Sequence, residues 1–175
     1  CLEEDKQGNI WIGYFNGGIS LYDPGKKQFT HYSENAFGEY KGTHIWDLMC
    51  EGDSLWIASQ EGIHVMNLKT RAVSPVSFIE AGDTFDHQET LYLLRDSKGR
   101  LLIATYTGFY VFSPADQNLR FYEPSHTDIH TISDKWIITL FEDSKQRIWI
   151  GTNNGLNLWK EPDQFVCYTA EDGLA

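Results

Sequence analysis

Aromatic, amide, carboxylate and imidazole side chains concentrate in the segments that separate short apolar runs of this 175-residue chain. Aromatic rings can cover the apolar C–H faces of a sugar, and amides or carboxylates can bond its hydroxyl groups in a fixed direction. These segments therefore carry the side chains that carbohydrate recognition needs. The twelve candidate ligand-binding residues are Tyr14, Asn16, His44, Asp47, Gln60, Glu61, His87, Tyr92, Tyr106, Trp136, Asn153 and Asn154.

An enzyme is an alternative interpretation of the same residues. Glu61, Asp86 and His87 include an acid and a base, which a lyase or a hydrolase would need, although no spacing singles out a pair. The chain contains no Gly-x-Ser-x-Gly elbow and no phosphate-binding glycine loop. Nucleophilic and nucleotide chemistry therefore lack their usual motifs, and we expect no catalytic residues in this segment.

The histidines raise the question of a metal site. His87, His126 and His130 carry the side chain that most often binds transition metals. His126 and His130 lie four residues apart, but they follow Pro124 in a loop, where this spacing does not place them on one face of a helix. We therefore predict neither a metal site nor a cofactor.

A repeat positions these residues. An apolar motif centred on Trp11 recurs at Trp56, Leu102 and Trp149, at spacings of 45, 46 and 47 residues. An acidic turn precedes each motif, and a glycine followed by an apolar residue comes after each one. A fixed period of this length is typical of propeller blades, whereas leucine-rich repeats are shorter.

Each repeat contains about four short apolar segments and no helical pattern. We therefore predict an all-β chain with about four four-stranded blades of a larger, seven-bladed β-propeller. The Trp or Leu at the centre of each motif is expected to pack between blades, so that replacing Trp56 or Trp149 by Ala would cost about 3–5 kcal/mol. The predicted blades span residues 1–33, 44–78, 90–123 and 136–170.

A meander of four strands places most of the candidate residues at one end of each blade. The turn between the second and third strands and the connection to the next blade share that end. The predicted connections, 33–43, 79–89 and 124–135, are long enough to carry recognition as well as a turn. Asp47, Tyr92 and Thr139 occupy an equivalent position in the first strand, where they would line a central channel or satisfy the backbone.

Composition excludes several classes of function. The net charge of −11 argues against binding to nucleic acid or to an anionic membrane. The three cysteines have neither the number nor the spacing of a disulfide framework or a metal cluster. The chain begins with Cys1 inside a blade and ends where a further blade would start, so we expect it to be an internal piece of a longer protein.

Three stretches of the sequence resemble a known family. Residues 4–13 and 142–156 contain an acidic turn followed by Trp-Ile-Gly, and residues 165–174 have the form of a fourth strand and the loop that follows it. They are similar to repeats of the two-component regulator propeller. The second repeat departs from the pattern by a shorter acidic turn, and the third departs from it by Leu102 in place of Trp.

The resemblance implies a biological setting. In this family such blades form paired propellers in the periplasmic sensor region of hybrid two-component histidine kinases, which regulate glycan-utilisation genes. It implies an oligosaccharide ligand, the remaining propeller blades of the parent chain and a homodimer of the parent as partners, with no nucleic acid bound by this segment. A propeller lyase or hydrolase and a scaffold for protein interactions are the alternatives.

Overall fold

The computed structural model describes residues 1–32, 44–79, 84–85, 89–125, 127–160 and 162–174. These residues form four four-stranded antiparallel sheets in which strands adjacent in sequence pair with each other. The predicted all-β class and the four-stranded blade are thus confirmed. The described part of the chain contains no α-helix, only a short 3-10 turn at Ala170–Asp172.

The first two sheets lie in one unit, Cys1–Thr90, and the last two lie in a second, Leu91–Ala175. The strands of the first unit are β1 Leu2–Glu4, β2 Ile10–Gly13, β3 Ile19–Asp23, β4 Gln28–Tyr32, β5 Ile45–Glu51, β6 Ser54–Ser59, β7 Gly62–Asn67 and β8 Val73–Pro75, then β9 Phe78–Ile79 and β10 Thr84–Phe85. Those of the last two sheets are β11 Thr90–Arg95, β12 Leu101–Thr105, β13 Phe109–Ser113, β14 Asn118–Tyr122, β15 Ile137–Glu142, β16 Ile148–Thr152, β17 Gly155–Lys160 and β18 Gln164–Tyr168.

Packing of one sheet face against the next sheet makes the core of the first unit. The Trp11 side chain is fully buried in a cluster with Leu21 of its own sheet and with Leu48, Ile57 and Met66 of the second sheet. Strict alternation along each strand places Leu48, Ile57 and Met66 on one face. The predicted packing of Trp11 between blades is confirmed.

The second unit repeats this arrangement. Leu102 is fully buried and lies in a cluster with Phe109 of the third sheet and with Leu140, Ile150 and Trp159 of the fourth sheet. Leu therefore fills the position that Trp11 fills in the first unit. Trp56 and Trp149, at the two remaining motif centres, are only partly buried. The cost of about 3–5 kcal/mol expected for replacing either by Ala is therefore too high, because that range applies to a fully buried side chain.

The acidic turns bind their own sheets. One Asp5 carboxylate oxygen accepts hydrogen bonds from the backbone amides of Gln7 and Asn9 at 2.9 and 3.0 Å, and the other accepts one from Trp11 Nε1 at 3.2 Å. In the fourth sheet, Trp149 Nε1 donates to Asp143 in the same way, at 3.0 Å. One carboxylate thus closes the turn and fixes the orientation of the central indole.

The third turn keeps the carboxylate but has no indole donor. Asp96 accepts from the backbone amides of Lys98 and Arg100, at 3.0 and 2.8 Å. Leu102 has no N–H to donate, and the second oxygen of Asp96 accepts a hydrogen bond from Arg100 Nε at 2.7 Å. Arg147 Nε donates to Asp143 in the same way, at 2.6 Å, beside the bond from Trp149. The second sheet has a shorter turn in which Gly52, with a φ of +62°, permits the reversal.

One connection differs from the prediction. The sequence predicts a loop over residues 79–89, but β9, which begins at Phe78, pairs with β10 in this stretch, with Phe78 opposite Phe85. Two-residue strands are too short to produce a readable alternation in the sequence. The fourth strand of the second sheet also ends at Pro75 instead of Phe78, which fits the missing N–H of proline.

Trp11 and Trp149 provide a matched test of packing between sheets. We expect Trp11→Ala to lower the free energy of unfolding by about 3–5 kcal/mol, since its side chain is fully buried. Trp149→Ala should cost about 1–2 kcal/mol, because this indole makes the same bond to an aspartate but is only partly buried. Urea denaturation of the two variants measures both values, and equal losses would contradict the packing described here.

The Asp5 turn should make stability depend on pH. Burial by itself raises the pKa of Asp5. Hydrogen bonds from Asn9, Trp11 and Gln7 lower the pKa by more than burial raises it, so the net pKa lies below 3.8. A carboxyl group with a lowered folded-state pKa stabilises the fold above its unfolded pKa, and this contribution is lost as the pH falls through the folded-state value. We expect the difference in unfolding free energy between the unsubstituted chain and Asp5→Asn to shrink below about pH 4. The exposed Glu4→Gln change on the same turn is the control, and a pH-independent difference for Asp5→Asn would contradict this assignment.

Candidate ligand-binding site

The two ends of each sheet differ in what they carry. We call the end with the turn between the second and third strands and the connection to the next sheet the connection end, and we call the other end the turn end. The connection-end turns are residues 14–18, 60–61, 106–108 and 153–154, and the turn-end turns include residues 5–9, 24–27, 52–53, 68–72, 96–100, 114–117 and 143–147.

Hydroxyl groups hold three of the connection-end turns. Ser59, Thr105 and Thr152 each donate a side-chain hydrogen bond to the carbonyl of the glycine three residues later, at 2.9, 2.9 and 3.1 Å. In the fourth sheet the glycine is Gly155, whose φ is +124°; a Cβ there would lie 2.5 Å from the Tyr168 carbonyl oxygen. The turn backbone is therefore fixed independently of the residues at its tip.

Aromatic rings meet at the connection end of the first unit. Phe15, in the turn of the first sheet, contacts His44 and Trp46 at the start of the second sheet, with ring centroids 4.2 and 5.5 Å apart. The imidazole of His44 stacks against Trp46 at 6.1 Å. Phe15 is 59% exposed, so much of its ring is accessible to solvent beside the polar ring nitrogens of His44 and Trp46.

Polar groups surround this cluster. His44 Nδ1 lies 2.5 Å from Gln60 Oε1, and the Gln60 backbone amide donates to the His44 carbonyl at 3.1 Å. Trp46 Nε1 donates to the Glu89 carboxylate at 3.0 Å. Amide and carboxylate oxygens thus lie next to the exposed aromatic ring, as direction-specific binding of hydroxyl groups requires.

A hydrogen-bond chain holds the neighbouring tyrosine. Tyr14 OH donates to Ser20 Oγ at 3.2 Å, and Ser20 Oγ lies 2.9 Å from His31 Nδ1. The rings of Tyr14 and His31 also meet edge to face at 6.0 Å. Because Ser20 is buried, Tyr14 is tied to the sheet and does not share the Phe15 cluster.

The second unit has a corresponding aromatic pair. Tyr106, in the turn of the third sheet, and Trp136, just before β15, have ring centroids 5.2 Å apart. Trp136 is 45% exposed, and its carbonyl accepts a hydrogen bond from the Asn153 amide at 3.1 Å. The Trp136 amide in turn donates to Asp134 at 2.9 Å.

The two aromatic arrangements use the same positions of the repeat. Phe15 and Tyr106 each follow the second strand of one sheet by one or two residues, and His44 and Trp136 each precede the first strand of the next sheet. In both units, the carbonyl of the residue before the first strand accepts a bond from its own sheet's turn. Each unit therefore repeats one geometry with different rings.

A family model described as two component regulator propeller matches residues 1–16 and 131–154. These are two-component regulator propeller repeats. Each matched stretch contains an acidic turn and a tryptophan motif, at Asp5 with Trp11 and at Asp143 with Trp149. The chain thus contains repeats of the two-component regulator propeller type.

The chain is similar to parts of longer proteins. The chain is 24% identical over 161 residues to Histidine kinase P4 of Formosa agariphila, a match that covers 90% of this chain and 12% of the kinase. The extracellular domains of two proteins from B. thetaiotaomicron described as hybrid two-component systems align with TM-scores of 0.75 and 0.72, at 19% and 18% identity. They cover 95% and 97% of this chain, which spans only 21% of each. These two likenesses show the propeller fold.

Most of the predicted ligand-binding residues lie at the connection ends of the propeller repeats. Asn16, Gln60, Asn153 and Asn154 are exposed on turns, and Glu61 is partly buried beside Gln60. His87 lies outside the described residues, as do Asp86 and His126.

The first-strand positions have another environment. Tyr92 packs against the apolar cluster of the second unit, and Thr139 lies opposite Gly151 on the face that carries Trp149. Asp47 is opposite Ala58 and is partly buried. The three residues therefore belong to sheet faces, and Tyr92 contributes to packing.

Sequence reasoning missed two members of the first cluster, Phe15 and Trp46. The spacing that makes Phe15 equivalent to Tyr106 was readable in the repeat. The position of Trp46 was not, because it lies where the register shifts between Ile45 and Asp47, and such a β-bulge redirects a side chain without a sequence signature.

The described residues contain no group of three or more His, Cys, Asp or Glu side chains arranged to hold a metal ion. Within the same ranges, no helix has the length and apolar character that crossing a bilayer demands.

The thiol of Cys50 is partly buried, and burial together with Glu3 and Asp5 raises its pKa to about 12. Cys50 is thus protonated at neutral pH and is a poor nucleophile.

The exposed rings should contribute little to folding. We expect Phe15→Ala and Trp136→Ala each to lower the free energy of unfolding by at most about 1 kcal/mol, since roughly half of each side chain is already in water. Urea denaturation of these two variants measures the losses, and Trp11→Ala measured in parallel gives the loss for a fully buried ring. A loss as large as that of Trp11→Ala would assign these rings to the core and not to a ligand site.

Proposed function

We propose that this chain belongs to the periplasmic sensor region of a hybrid two-component histidine kinase and provides aromatic binding sites for an oligosaccharide. The observation that carries the proposal is an aromatic pair that recurs at the connection end of each unit. One ring of each pair is about half exposed: Phe15, which contacts His44, and Trp136, which contacts Tyr106. A hydrophobic ring left half exposed while its neighbours are hydrogen-bonded is suited to stack on a sugar face.

The comparisons support the signalling part of the proposal. The relative from Formosa agariphila is a histidine kinase by name, and the two similar structures from B. thetaiotaomicron are extracellular domains. On this proposal, the remaining blades complete the propeller, the parent protein acts as a homodimer, and its output is transcription of glycan-utilisation genes. The segment itself performs no catalysis.

Signalling then requires a difference in affinity between two states. An oligosaccharide that stacks on rings contributed by two successive sheets binds best when those sheets hold one arrangement. It shifts the equilibrium toward that arrangement only by the ratio of its affinities for the two states. The kinase would read this shift through the relative placement of propellers or dimer partners.

Binding measurements on the full-length protein test the proposal. A panel of oligosaccharides should include at least one that raises the melting temperature without being consumed, since a ligand that binds only the folded state stabilises it. Phe15→Ala and Trp136→Ala should weaken binding about tenfold or more, in line with the loss of one stacked ring.

Phe29 provides a matched control, because it is 67% exposed and its ring centroid lies 4.6 Å from that of Tyr22, but it comes just after a turn-end turn. Phe29→Ala should leave the affinity unchanged. Turnover of the sugar would favour a propeller lyase or hydrolase instead. Failure of every oligosaccharide to bind would favour a scaffold for protein interactions.

A further inference from the structure

Charged side chains are distributed unevenly between the two ends of the first unit. All five of its described lysines and arginines lie at the turn end, together with six carboxylates. The described charges at its connection end are three carboxylates, with no lysine or arginine among them. The turn-end cations are Lys6, Lys26, Lys27, Lys69 and Arg71, and the connection-end anions are Asp47, Glu61 and Glu89.

The second unit shows the same separation. Seven of its eight described lysines and arginines lie at the turn end, with five described carboxylates. Its connection end has five carboxylates and one lysine, Lys135. The turn-end cations are Arg95, Lys98, Arg100, Arg120, Lys145, Arg147 and Lys160, and the connection-end anions are Glu123, Asp128, Asp134, Glu171 and Asp172.

Structural bonds account for much of the charge at the turn ends. Lys26 pairs with Asp23 at 2.9 Å, Arg100 pairs with Asp96 at 2.6 Å, and Lys6 and Lys69 both bind Asp53. Hydrogen bonds from Lys6 and Lys69 lower the pKa of Asp53 to about 2. The described turn ends together carry twelve lysines and arginines and eleven carboxylates, so most of the excess negative charge of the described residues lies at the ends that carry the exposed rings.

Anionic sugars need groups that are rare among the described residues of the connection ends, where Lys135 is the single lysine or arginine. Carboxylate and sulfate substituents are normally bound by arginine or lysine, with charge-assisted hydrogen bonds. The carboxylates at the connection ends would instead repel such groups, whereas a surface of one sign attracts ligands of the opposite sign and leaves neutral ligands unaffected. The electrostatic field of these carboxylates would therefore affect which sugars bind to the exposed rings, even where no carboxylate contacts the sugar directly.

We propose that the connection-end aromatic sites select oligosaccharides that carry no negative charge, either neutral or amine-bearing, and discriminate against those with uronate or sulfate groups. This selectivity rests on the proposed function, because it concerns the ligand of the same rings. It goes beyond that proposal by naming the chemical class of sugar that the sites accept.

A charge-sorted panel tests this selectivity on the full-length protein. Neutral, amine-bearing, uronate-bearing and sulfated oligosaccharides of matched length are compared by calorimetry at low and high salt. We expect every binder to be neutral or amine-bearing, anionic sugars to bind at least about tenfold more weakly, and salt to weaken only the amine-bearing ones. An anionic sugar that binds as tightly as a neutral one would overturn the selectivity and leave the proposed function intact. Absence of binding in all four classes would overturn both.

Two charge reversals locate the effect. Glu61→Lys, beside Gln60 at the connection end, should weaken binding of an amine-bearing oligosaccharide about fivefold relative to its neutral counterpart. Glu4→Lys makes the same change in charge at an exposed turn-end position and should leave that ratio unchanged. A structural defect would weaken both ligands equally, so the ratio isolates the electrostatic contribution. Equal effects of the two substitutions on the ratio would contradict the proposal.

Discussion

A four-stranded sheet with apolar residues on both faces cannot remain isolated in water, and this constraint shapes each unit of the chain. Burial of apolar surface is the main favourable contribution to folding, and it requires that each sheet find a neighbour for each face. In the first unit the neighbour covers Trp11, and in the second it covers Leu102. The connections must then cross from one sheet to the next at a single end, which is why the aromatic residues of two sheets meet there.

The turn carboxylates show how packing and local chemistry support each other. Asp5 and Asp143 satisfy the backbone of a tight turn and also orient the indole six residues later. Without this bond, a buried indole N–H would lack a partner, which is costly in an apolar environment. The third repeat does not meet this requirement, because Leu102 has no polar atom. Its aspartate keeps the hydrogen bond from an arginine that the fourth repeat also has, Arg100 in the third and Arg147 in the fourth.

Much of this architecture could be predicted from the sequence, because period, alternation and turn residues are local and repeat four times. The four sheets, the acidic turns and the placement of Gln60, Tyr106 and Asn153 on one end follow from such patterns. The role of Tyr92 in packing and the position of Trp46 could not be predicted, since they depend on which sheet face is covered and on a register shift. The hairpin of Phe78–Ile79 and Thr84–Phe85 could not be predicted either, because two-residue strands are too short to show an alternation of apolar and polar residues.

The anchored turns at residues 59–62, 105–108 and 152–155 separate two tasks that a loop usually combines. A hydroxyl and a glycine set the backbone, so the tip residues Gln60, Tyr106 and Asn153 can differ without disturbing the strands. Substitutions at these tips therefore alter the exposed surface while leaving the folding frame untouched. Duplicated repeats of this kind can diversify their specificity one position at a time, and a designer could exchange tip residues between them.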